Sequence, residues 1–208
     1  FKPGQYCTIG SGGIERAYSI ASSPDENQIE LFVELVPPPD GKLTPLLNDL
    51  KVGDAVTIRR RAKGIFVLKP DFKNHVMVGT VTGVAPYVSM LRKHLKNDEF
   101  SNNKYYVLEG ASYIDEFGYD EELTNLANSN DNVLFEGSIS RPTEDKNSNW
   151  KGLEGRINNL VVGKMDEWGI NPSETIVYAC GHPGMIEDLK EKLENTEYTF
   201  LEERFWKD

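Results

Sequence analysis

The segment 16–22, which reads Arg-Ala-Tyr-Ser-Ile-Ala-Ser, is the first in the chain whose residue types could do chemistry. Successive side chains of a β-strand point to opposite faces, so Arg16 and Tyr18 would project from the same face. A guanidinium group suits a diphosphate, and a tyrosine ring can stack on a flat cofactor ring. Without its surroundings, the segment is read more simply as an ordinary strand with a surface arginine.

Two glycine-containing turns follow apolar strands in the second part of the chain. Gly79–Pro86 joins a strand to a helix, and its glycines let a cofactor approach the backbone closely. It is not a P-loop, because no Gly-Lys-Ser/Thr ending follows. Ala179–Met185 contains Cys180 and His182, but no base pairs with the thiol, and a lone histidine in a turn is usually neither an acid nor a metal ligand. No histidine or cysteine cluster has metal-ligand spacing, so we expect no metal site.

Two arginines of the second half lie where a phosphate group could bind. Ser140 and Arg141 follow a predicted strand, and Arg156 opens a predicted helix. Guanidinium and hydroxyl groups favour binding of a ribose that carries an additional phosphate, whereas an acidic residue favours a ribose with a free hydroxyl. Either arginine alone would be an ordinary solvated side chain.

Composition limits the class of protein. The chain has 208 residues, a formal net charge of −10 and two cysteines, Cys7 and Cys180. This charge argues against general nucleic-acid binding, and two thiols are too few for a four-thiolate iron–sulfur cluster. No apolar run approaches the roughly 20 residues of a membrane span, and the low cysteine content predicts a reducing compartment, the cytoplasm. Because the chain opens at Phe1 directly on strand-like sequence, we expect its natural N-terminus, including a first barrel strand, to be missing.

Short strands and turns fill the chain from Phe1 to about Asp71. One short helix interrupts them, with Thr44 as predicted N-cap and Pro45 at the first helical position, and it runs to about Leu50. Such closely spaced strands are typical of a small antiparallel barrel. The predicted strands are Tyr6–Ile9, Ala17–Ile20, Ile29–Val36 and Ala55–Ile58, and the predicted turns are Gly10–Gly13, Pro24–Asn27 and Pro37–Gly41.

Strands and helices alternate after about Lys73. This alternation predicts a parallel sheet with helices on both faces and a ligand site at the carboxyl ends of the strands. We therefore predict two domains, an antiparallel β-barrel over residues 1–72 and a Rossmann-like α/β domain over residues 73–208, with residues 141–151 as an exposed loop. The predicted strands are Val76–Gly79, Tyr105–Glu109, Val133–Glu136 and Ile176–Ala179, and the predicted helices are Pro86–Leu95, Tyr119–Ala127, Arg156–Val162 and Met185–Leu193.

The chain resembles the ferredoxin–NADP⁺ reductase family, most closely its bacterial type. The resemblance begins with RAYSIASSPD, the strand IELFVELV and PDGKLTPLLNDLKVGD. It continues through KGIFVL, GTVTGVAPYVSML, SISRP, GRI, VYACGHPGMIEDL and the terminal ERFW. These segments cover nearly the whole chain in family order, so the resemblance implies an FAD-binding barrel followed by an NADP-binding domain.

The resemblance implies an FAD site in the first domain. Arg16 would contact the diphosphate, Tyr18 would pack on the flavin, and Ser19 would lie near the reacting flavin nitrogen. The backbone of residues 41–44 would face the diphosphate, a role that the free amides at the start of a helix also favour. A terminal aromatic ring, either Phe205 or Trp206, would shield the flavin, although core packing of a last strand is the simpler interpretation of such rings. The implied FAD residues are Arg16, Ala17, Tyr18, Ser19, Gly41, Lys42, Leu43, Thr44, Thr82, Phe205 and Trp206.

The resemblance also implies an NADP(H) site in the second domain. Cys180 would lie beside the nicotinamide and act with Ser19 and Phe205 at the reacting centre, without a covalent role. Arg141 and Arg156 together favour NADP over NAD. Val81 stands where many family members have glycine, which is a departure from the family pattern in this loop. The implied NADP residues are Thr80, Gly83, Ser140, Arg141, Arg156, Cys180 and Gly181.

The resemblance implies a monomeric flavoprotein that moves electrons between NADP(H) and ferredoxin or flavodoxin. Such carriers are acidic, so the basic run Arg59–Arg61 with Lys63 is a candidate docking surface, although a solvated strand end is an equal alternative. Two other functions stay open: an NAD(P)H-dependent reductase component of an oxygenase, and a non-catalytic nucleotide-binding module of a larger complex.

Overall fold

The computed structural model describes residues 1–96 and 102–205. Fourteen strands and α-helices lie in these ranges, and four short 3-10 helices connect some of them. They are, in chain order, β1 (Tyr6–Ser11), β2 (Ile14–Ser19), α1 (Thr44–Asn48), β3 (Thr57–Ile58), β4 (Asn74–Thr80), α2 (Ala85–His94), β5 (Lys104–Ala111), α3 (Asp120–Ser129), β6 (Val133–Ile139), β7 (Leu153–Glu154), α4 (Ile157–Glu167), β8 (Thr175–Gly181), α5 (Pro183–Leu193) and β9 (Thr199–Arg204).

The N-terminal strands form an antiparallel sheet in the order β2-β1-β3. Gly12 and Gly13 connect β1 to β2 with φ angles of +59° and +78°. A tight hairpin turn needs two positive φ angles, which glycine adopts without a steric penalty. The apolar face of this sheet buries Cys7, Ile9 and Ile20.

Two predictions in this part were wrong. The segment Ile29–Val36 forms only one isolated bridge, between Leu31 and Ile20, because its apolar alternation meets no other partner strand among the described residues. Thr44 is the first residue of α1 and Leu43 is its N-cap. The Thr44 hydroxyl instead accepts a hydrogen bond from the Val36 amide and donates one to the Val36 carbonyl. The predicted strand 55–58 shortens to β3, and the helix ends at Asn48 rather than at residue 50.

The second part of the chain is a six-stranded parallel sheet in the order β7-β6-β5-β4-β8-β9. The chain builds outward from β4 through β5, β6 and β7, then crosses over to add β8 and β9 on the other side. In parallel α/β sheets, ligands bind at the carboxyl ends of the two strands where this direction reverses. The crevice between the ends of β4 and β8 is therefore the expected site.

Helices cover both faces of this sheet. Met77 packs with Tyr87 of α2 and Leu123 of α3 on one face. Val76 and Val78 pack on the opposite face, against α4 and α5. The antiparallel and parallel sheets confirm the predicted fold class, while the exact boundary at residues 72 and 73 stays a prediction.

The two parts share one of the hydrophobic clusters. Ala21, Phe66 and Leu68 are buried against α2 and β8. The Ser89 hydroxyl in α2 donates to the Ser22 carbonyl at 2.7 Å. Arg92, also in α2, binds carboxylates from both parts of the chain and so links them. Its partners are Glu30 through Nη1 and Glu122 through Nε and Nη2, each at 2.7 Å.

Three features were not predicted. The short edge strand β7 pairs with the end of β6, and β9 pairs with β8. The predicted exposed loop 141–151 contains a 3-10 helix at Asp145–Asn147, and Asn147 is buried.

Among the described residues, no helix combines the length and the apolar character that a membrane crossing requires.

Candidate active site

The ends of β4 and β8 are joined by a hydrogen bond through Thr80. The backbone N–H of His182 donates to Thr80 Oγ1 at 2.8 Å. Gly181, immediately before, has φ +121°, and a Cβ there would lie 2.3 Å from Thr80 Oγ1. A side chain at position 181 would therefore be strained and would displace Thr80.

The loop after β4 lies directly on the end of β8. A Cβ at Gly83 would lie 2.3 Å from the carbonyl oxygen of Cys180. Thr82, a predicted FAD residue, is half-buried in the same 3-10 helix, Val81–Val84. Val81 has φ +49°, a conformation that is strained for a β-branched residue, and it is the position where the resembled family often has glycine.

A cleft of about 340 Å³ opens at this edge of the parallel sheet. Four of the predicted nucleotide residues, from the ends of β4 and β6 and the start of α4, line it together: Thr80, Ser140, Arg141 and Arg156. The cleft also holds polar side chains that the sequence prediction missed, namely Ser112, Asn158 and His182. Each of these follows a strand end or opens a helix, so the rule for parallel sheets could have found them.

The two arginines enter the cleft from different elements. Arg141 is exposed, and its Nη1 donates to the hydroxyl of Tyr113 at 2.7 Å and to Glu144 Oε1 at 3.3 Å. Arg156 is exposed at the N-cap position of α4. Two guanidinium groups and the Ser140 hydroxyl therefore give this end of the cleft the chemistry of a phosphate site.

Cys180 is fully buried. Burial, with a smaller contribution from the nearby Glu203 carboxylate, raises the pKa of its thiol well above the ordinary value. A nucleophilic cysteine needs a lowered pKa, so this thiol is a neutral wall of the site and not a nucleophile.

Glu203 is the residue that the sequence prediction missed at the reacting end. It pairs with Cys180 in the β8–β9 register, and its carboxylate interacts with the Ser19 side chain of the N-terminal sheet. Burial raises the pKa of Glu203 to about 7, and the interaction with Ser19 opposes this shift. Ser19 and Cys180, predicted separately, are thus brought together by a carboxylic acid. The sequence signal that could have identified Glu203 is its position, an acidic residue two positions before the first terminal aromatic residue.

The remaining predicted FAD residues lie in the N-terminal part. Arg16 and Ala17 are exposed on β2, and Tyr18 is half-buried against the small apolar core. Arg16 Nη1 donates to the carbonyl of Glu15 at 2.7 Å. The second group of predicted FAD residues is 41–44. Its first residue, Gly41, packs against Val36, because a Cβ at Gly41 would lie 1.7 Å from the Val36 carbonyl oxygen. In this group, Lys42 is exposed, Leu43 is buried and Thr44 is half-buried.

Phe205 follows β9 directly and keeps 36% of its surface exposed. Trp206 lies outside the described residues. A partly exposed aromatic ring two residues after Glu203 is compatible with a ring that covers a cofactor, and which of the two rings does so stays a prediction.

Both parts of the chain match known families of oxidoreductase domains. Residues 1–64 match the oxidoreductase FAD-binding domain family, and residues 77–191 match the oxidoreductase NAD-binding domain family. The chain is 32% identical over 201 residues to the flavodoxin/ferredoxin–NADP reductase of Shigella flexneri, which covers 91% of this chain and 77% of that protein. The chain belongs to the ferredoxin–NADP⁺ reductase family. It is therefore an oxidoreductase with an FAD-binding and a nucleotide-binding domain.

Two further likenesses show the range of this reductase family. The chain is 33% identical over 178 residues to one polypeptide of the Na⁺-translocating NADH–quinone reductase of Klebsiella pneumoniae, covering 82% of this chain and 43% of that polypeptide. A crystal structure of a ferredoxin–NADP⁺ reductase from Neisseria gonorrhoeae, with bound FAD and NADP, superposes with a TM-score of 0.82 at 23% identity, covering 99% of this chain and 87% of that one. The second likeness confirms the reductase fold.

The residues present in this reductase fit both cofactors. Because positions 83 and 181 carry no side chain, the loop after β4 packs directly on the end of β8 and leaves the edge of the sheet beside it open. The cleft beside it combines hydroxyl groups with two guanidinium groups, as a phosphorylated nucleotide requires. Ser19 of the N-terminal sheet is linked to the end of β8 through Glu203, which pairs with Cys180.

Proposed function

We propose that this chain is a ferredoxin or flavodoxin–NADP⁺ reductase, which transfers electrons between NADP(H) and a one-electron carrier protein through FAD. The observation that carries the proposal is the cleft at the β4–β8 switch, where Thr80, Ser140, Arg141 and Arg156 converge. The named activities of the Shigella flexneri and Neisseria gonorrhoeae proteins support it.

The N-terminal residues Arg16–Ser19 and Gly41–Thr44 would hold FAD, together with Thr82 and one terminal aromatic ring. Because the Thr44 hydroxyl is bonded to Val36, the contribution of Thr44 would come from its backbone amide. The second domain would hold NADP(H) through Thr80, Gly83, Ser140, Arg141, Arg156, Cys180 and Gly181. FAD, when bound, supplies the exchange between two-electron and one-electron chemistry that side chains cannot perform.

The protein's own groups position the reactants and manage protons. Buried Cys180 and Gly83 give a tightly packed wall that excludes water from the reacting face. The Glu203 carboxyl, with its pKa raised to about 7, can hold or release a proton next to the Ser19 hydroxyl near neutral pH. Arg141 and Arg156 orient the nucleotide by binding the phosphate end that lies away from the nicotinamide.

The exposed basic run Arg59–Arg61, with Lys63, is the proposed docking surface for the acidic carrier. Arg59 is partly neutralised by an ion pair with Glu15, whereas Arg60, Arg61 and Lys63 are exposed. We also propose that the reductase acts as a monomer in the cytoplasm. The compartment is supported by Cys7 and Cys180, which are both free and buried.

The test begins with the visible spectrum of the purified protein. A yellow protein bleached by NADPH under anaerobic conditions, and re-oxidised by ferredoxin or flavodoxin, would support the proposal. Arg141→Ala should weaken NADPH roughly ten- to a hundred-fold and leave NADH nearly unchanged. A colourless protein would favour the non-catalytic module, and equal losses for both nucleotides would remove Arg141 from the phosphate site.

A second candidate function is an NADH-dependent reductase component that serves another acceptor. The likeness to a polypeptide of the Klebsiella pneumoniae NADH–quinone reductase favours it. Faster bleaching by NADH than by NADPH, with no activity toward ferredoxin or flavodoxin, would select this candidate.

A further inference from the structure

Arg141 is held by an acidic residue of its own loop. Its Nη1 donates to the Tyr113 hydroxyl at 2.7 Å and to Glu144 Oε1 at 3.3 Å. The Tyr113 hydroxyl in turn donates to Glu144 Oε2 at 2.8 Å. The three side chains form a closed cycle of hydrogen bonds, which we call the Arg141–Tyr113–Glu144 ring.

The backbone of the loop holds Glu144 in this position. Asn147 keeps only 2% of its surface exposed, and its side-chain amide donates to the carbonyls of Ser112 and Arg141 at 2.9 Å each. The Glu144 amide donates to the Arg141 carbonyl at 3.2 Å, and the Asn147 amide donates to the Glu144 carbonyl at 2.8 Å. Because the buried asparagine fixes the turn, little backbone entropy opposes the contact between Glu144 and Arg141.

Arg141 faces two ways. It lines the nucleotide cleft beside Ser140 and Arg156, whereas Glu144 is not among the residues lining that cleft. The side chains of Arg141 and Glu144 are 53% and 47% exposed, so water screens their attraction. A phosphate group, with more negative charge than a carboxylate, can therefore displace Glu144 from the guanidinium, but it must compete to do so.

We propose that Glu144 is a specificity-determining residue, an inference that rests on the proposed NADP(H) function. Glu144 competes with the 2′-phosphate of the nucleotide for Arg141. This competition weakens the preference of the protein for NADP(H) over NAD(H). A nucleotide without the 2′-phosphate leaves the Arg141–Tyr113–Glu144 ring intact. Its affinity is then independent of Glu144, whereas the affinity of the 2′-phosphorylated nucleotide includes the loss of that contact.

The test measures the affinity of the FAD-loaded protein for adenosine 2′,5′-bisphosphate and for 5′-AMP by calorimetry. Glu144→Gln should tighten the bisphosphate about two- to five-fold, the range expected when a screened ion pair is released, and leave 5′-AMP unchanged. Asp145→Asn is the matched control, because it removes the same charge from the next residue of the loop. It should change neither affinity. In an Arg141→Ala background, the gain from Glu144→Gln should disappear.

Three results would overturn the proposal: an unchanged bisphosphate affinity in Glu144→Gln, an equal gain in Asp145→Asn, or a gain that persists without Arg141. The second would show a general charge effect, and the third would show that Glu144 acts elsewhere. Failure of the proposed function looks different, because the single variant Arg141→Ala would then bind the bisphosphate as tightly as the wild type.

Discussion

The hydroxyl oxygen of Thr80 accepts a hydrogen bond from the backbone N–H of His182 at 2.8 Å, which ties the end of β4 to the start of α5. The two residues are distant in sequence: Thr80 ends β4, and His182 follows β8. Both line the cleft, and their contact fixes the distance between the two loops that would face the nicotinamide in the proposed function. It requires that position 181 has no side chain.

Gly181→Ala should therefore reduce both stability and activity. The added Cβ would lie 2.3 Å from Thr80 Oγ1, at a φ of +121°. Gly53→Ala is the matched control, because Gly53 has φ +104° and no atom within 4 Å of its Cβ position. Backbone strain should cost each variant about 1–3 kcal/mol, and the clash should add at least about 1 kcal/mol at Gly181. Urea unfolding of both variants measures the difference, and equal losses would show that Thr80 moves aside freely.

Val81→Gly should stabilise the protein. Val81 adopts φ +49°, where a β-branched side chain costs about 1–3 kcal/mol. Glycine removes this strain but loses about 0.5–1 kcal/mol in backbone entropy, so the net gain should be up to about 2.5 kcal/mol. Val81→Ala is the control, since it removes most of the side chain but keeps the Cβ. If alanine stabilises as much as glycine in thermal unfolding, crowding of the side chain and not the backbone angle is responsible.

Glu203→Gln should remove a pH dependence of turnover near neutrality. Burial raises the pKa of the Glu203 carboxyl to about 7, and the interaction with the Ser19 side chain opposes this shift. In the wild type its protonated fraction falls as the pH rises through 7, whereas glutamine does not titrate. Profiles of kcat against pH for both proteins, each with its FAD content measured, should differ by one inflection. An inflection near pH 7 that survives in the variant would assign it to another group.

His75 should make the protein sensitive to acid. It is fully buried between Tyr105 and Tyr178, and burial lowers its pKa from 6.5 to about 4. The pKa of His75 is lower in the folded state than in the unfolded state. The stability that depends on a neutral His75 is therefore fully present above pH 6.5 and is lost as the pH falls toward 4. This loss amounts to about 3 kcal/mol. His75→Phe keeps the ring but cannot be protonated. The stability difference between wild type and variant in urea should therefore shrink between pH 7 and pH 4, and a constant difference would contradict the assignment.

Removal of residues 205–208 should raise activity with NADH relative to NADPH. A ring that covers the flavin must leave before nicotinamide can stack, and this cost is the same for both nucleotides. NADPH can offset it with binding energy from its 2′-phosphate, which NADH lacks. The kcat/KM ratio for the two nucleotides measures the effect. An unchanged ratio in a truncated protein that keeps its FAD would show that the terminal rings do not cover the flavin.

Much of the second domain could be predicted from local pattern. Apolar strands alternate with helices, and this pattern predicted a ligand site at the carboxyl ends of the parallel strands. The residues that the resemblance assigned to that site, Thr80, Ser140, Arg141 and Arg156, line one cleft there. The segment Ile29–Val36 shows where pattern fails. Its residues suit a strand, but strand formation also requires a neighbour, and only Leu31 makes a bridge.

The sequence by itself indicated the family through its motifs and the order of the two parts through its strand and helix periodicity, because motifs and periodicity are local properties of the chain. Only the tertiary structure decided which charges meet. The contact of Glu203 with Ser19 joins opposite ends of the chain, and the raised pKa of Glu203 follows from burial between the two domains. Glu144 and Arg141 are close in sequence, yet their contact depends on Asn147, which is anchored to the carbonyl at the end of a distant strand. Burial and hydrogen bonding depend on every element packed around a group, so no local pattern records them.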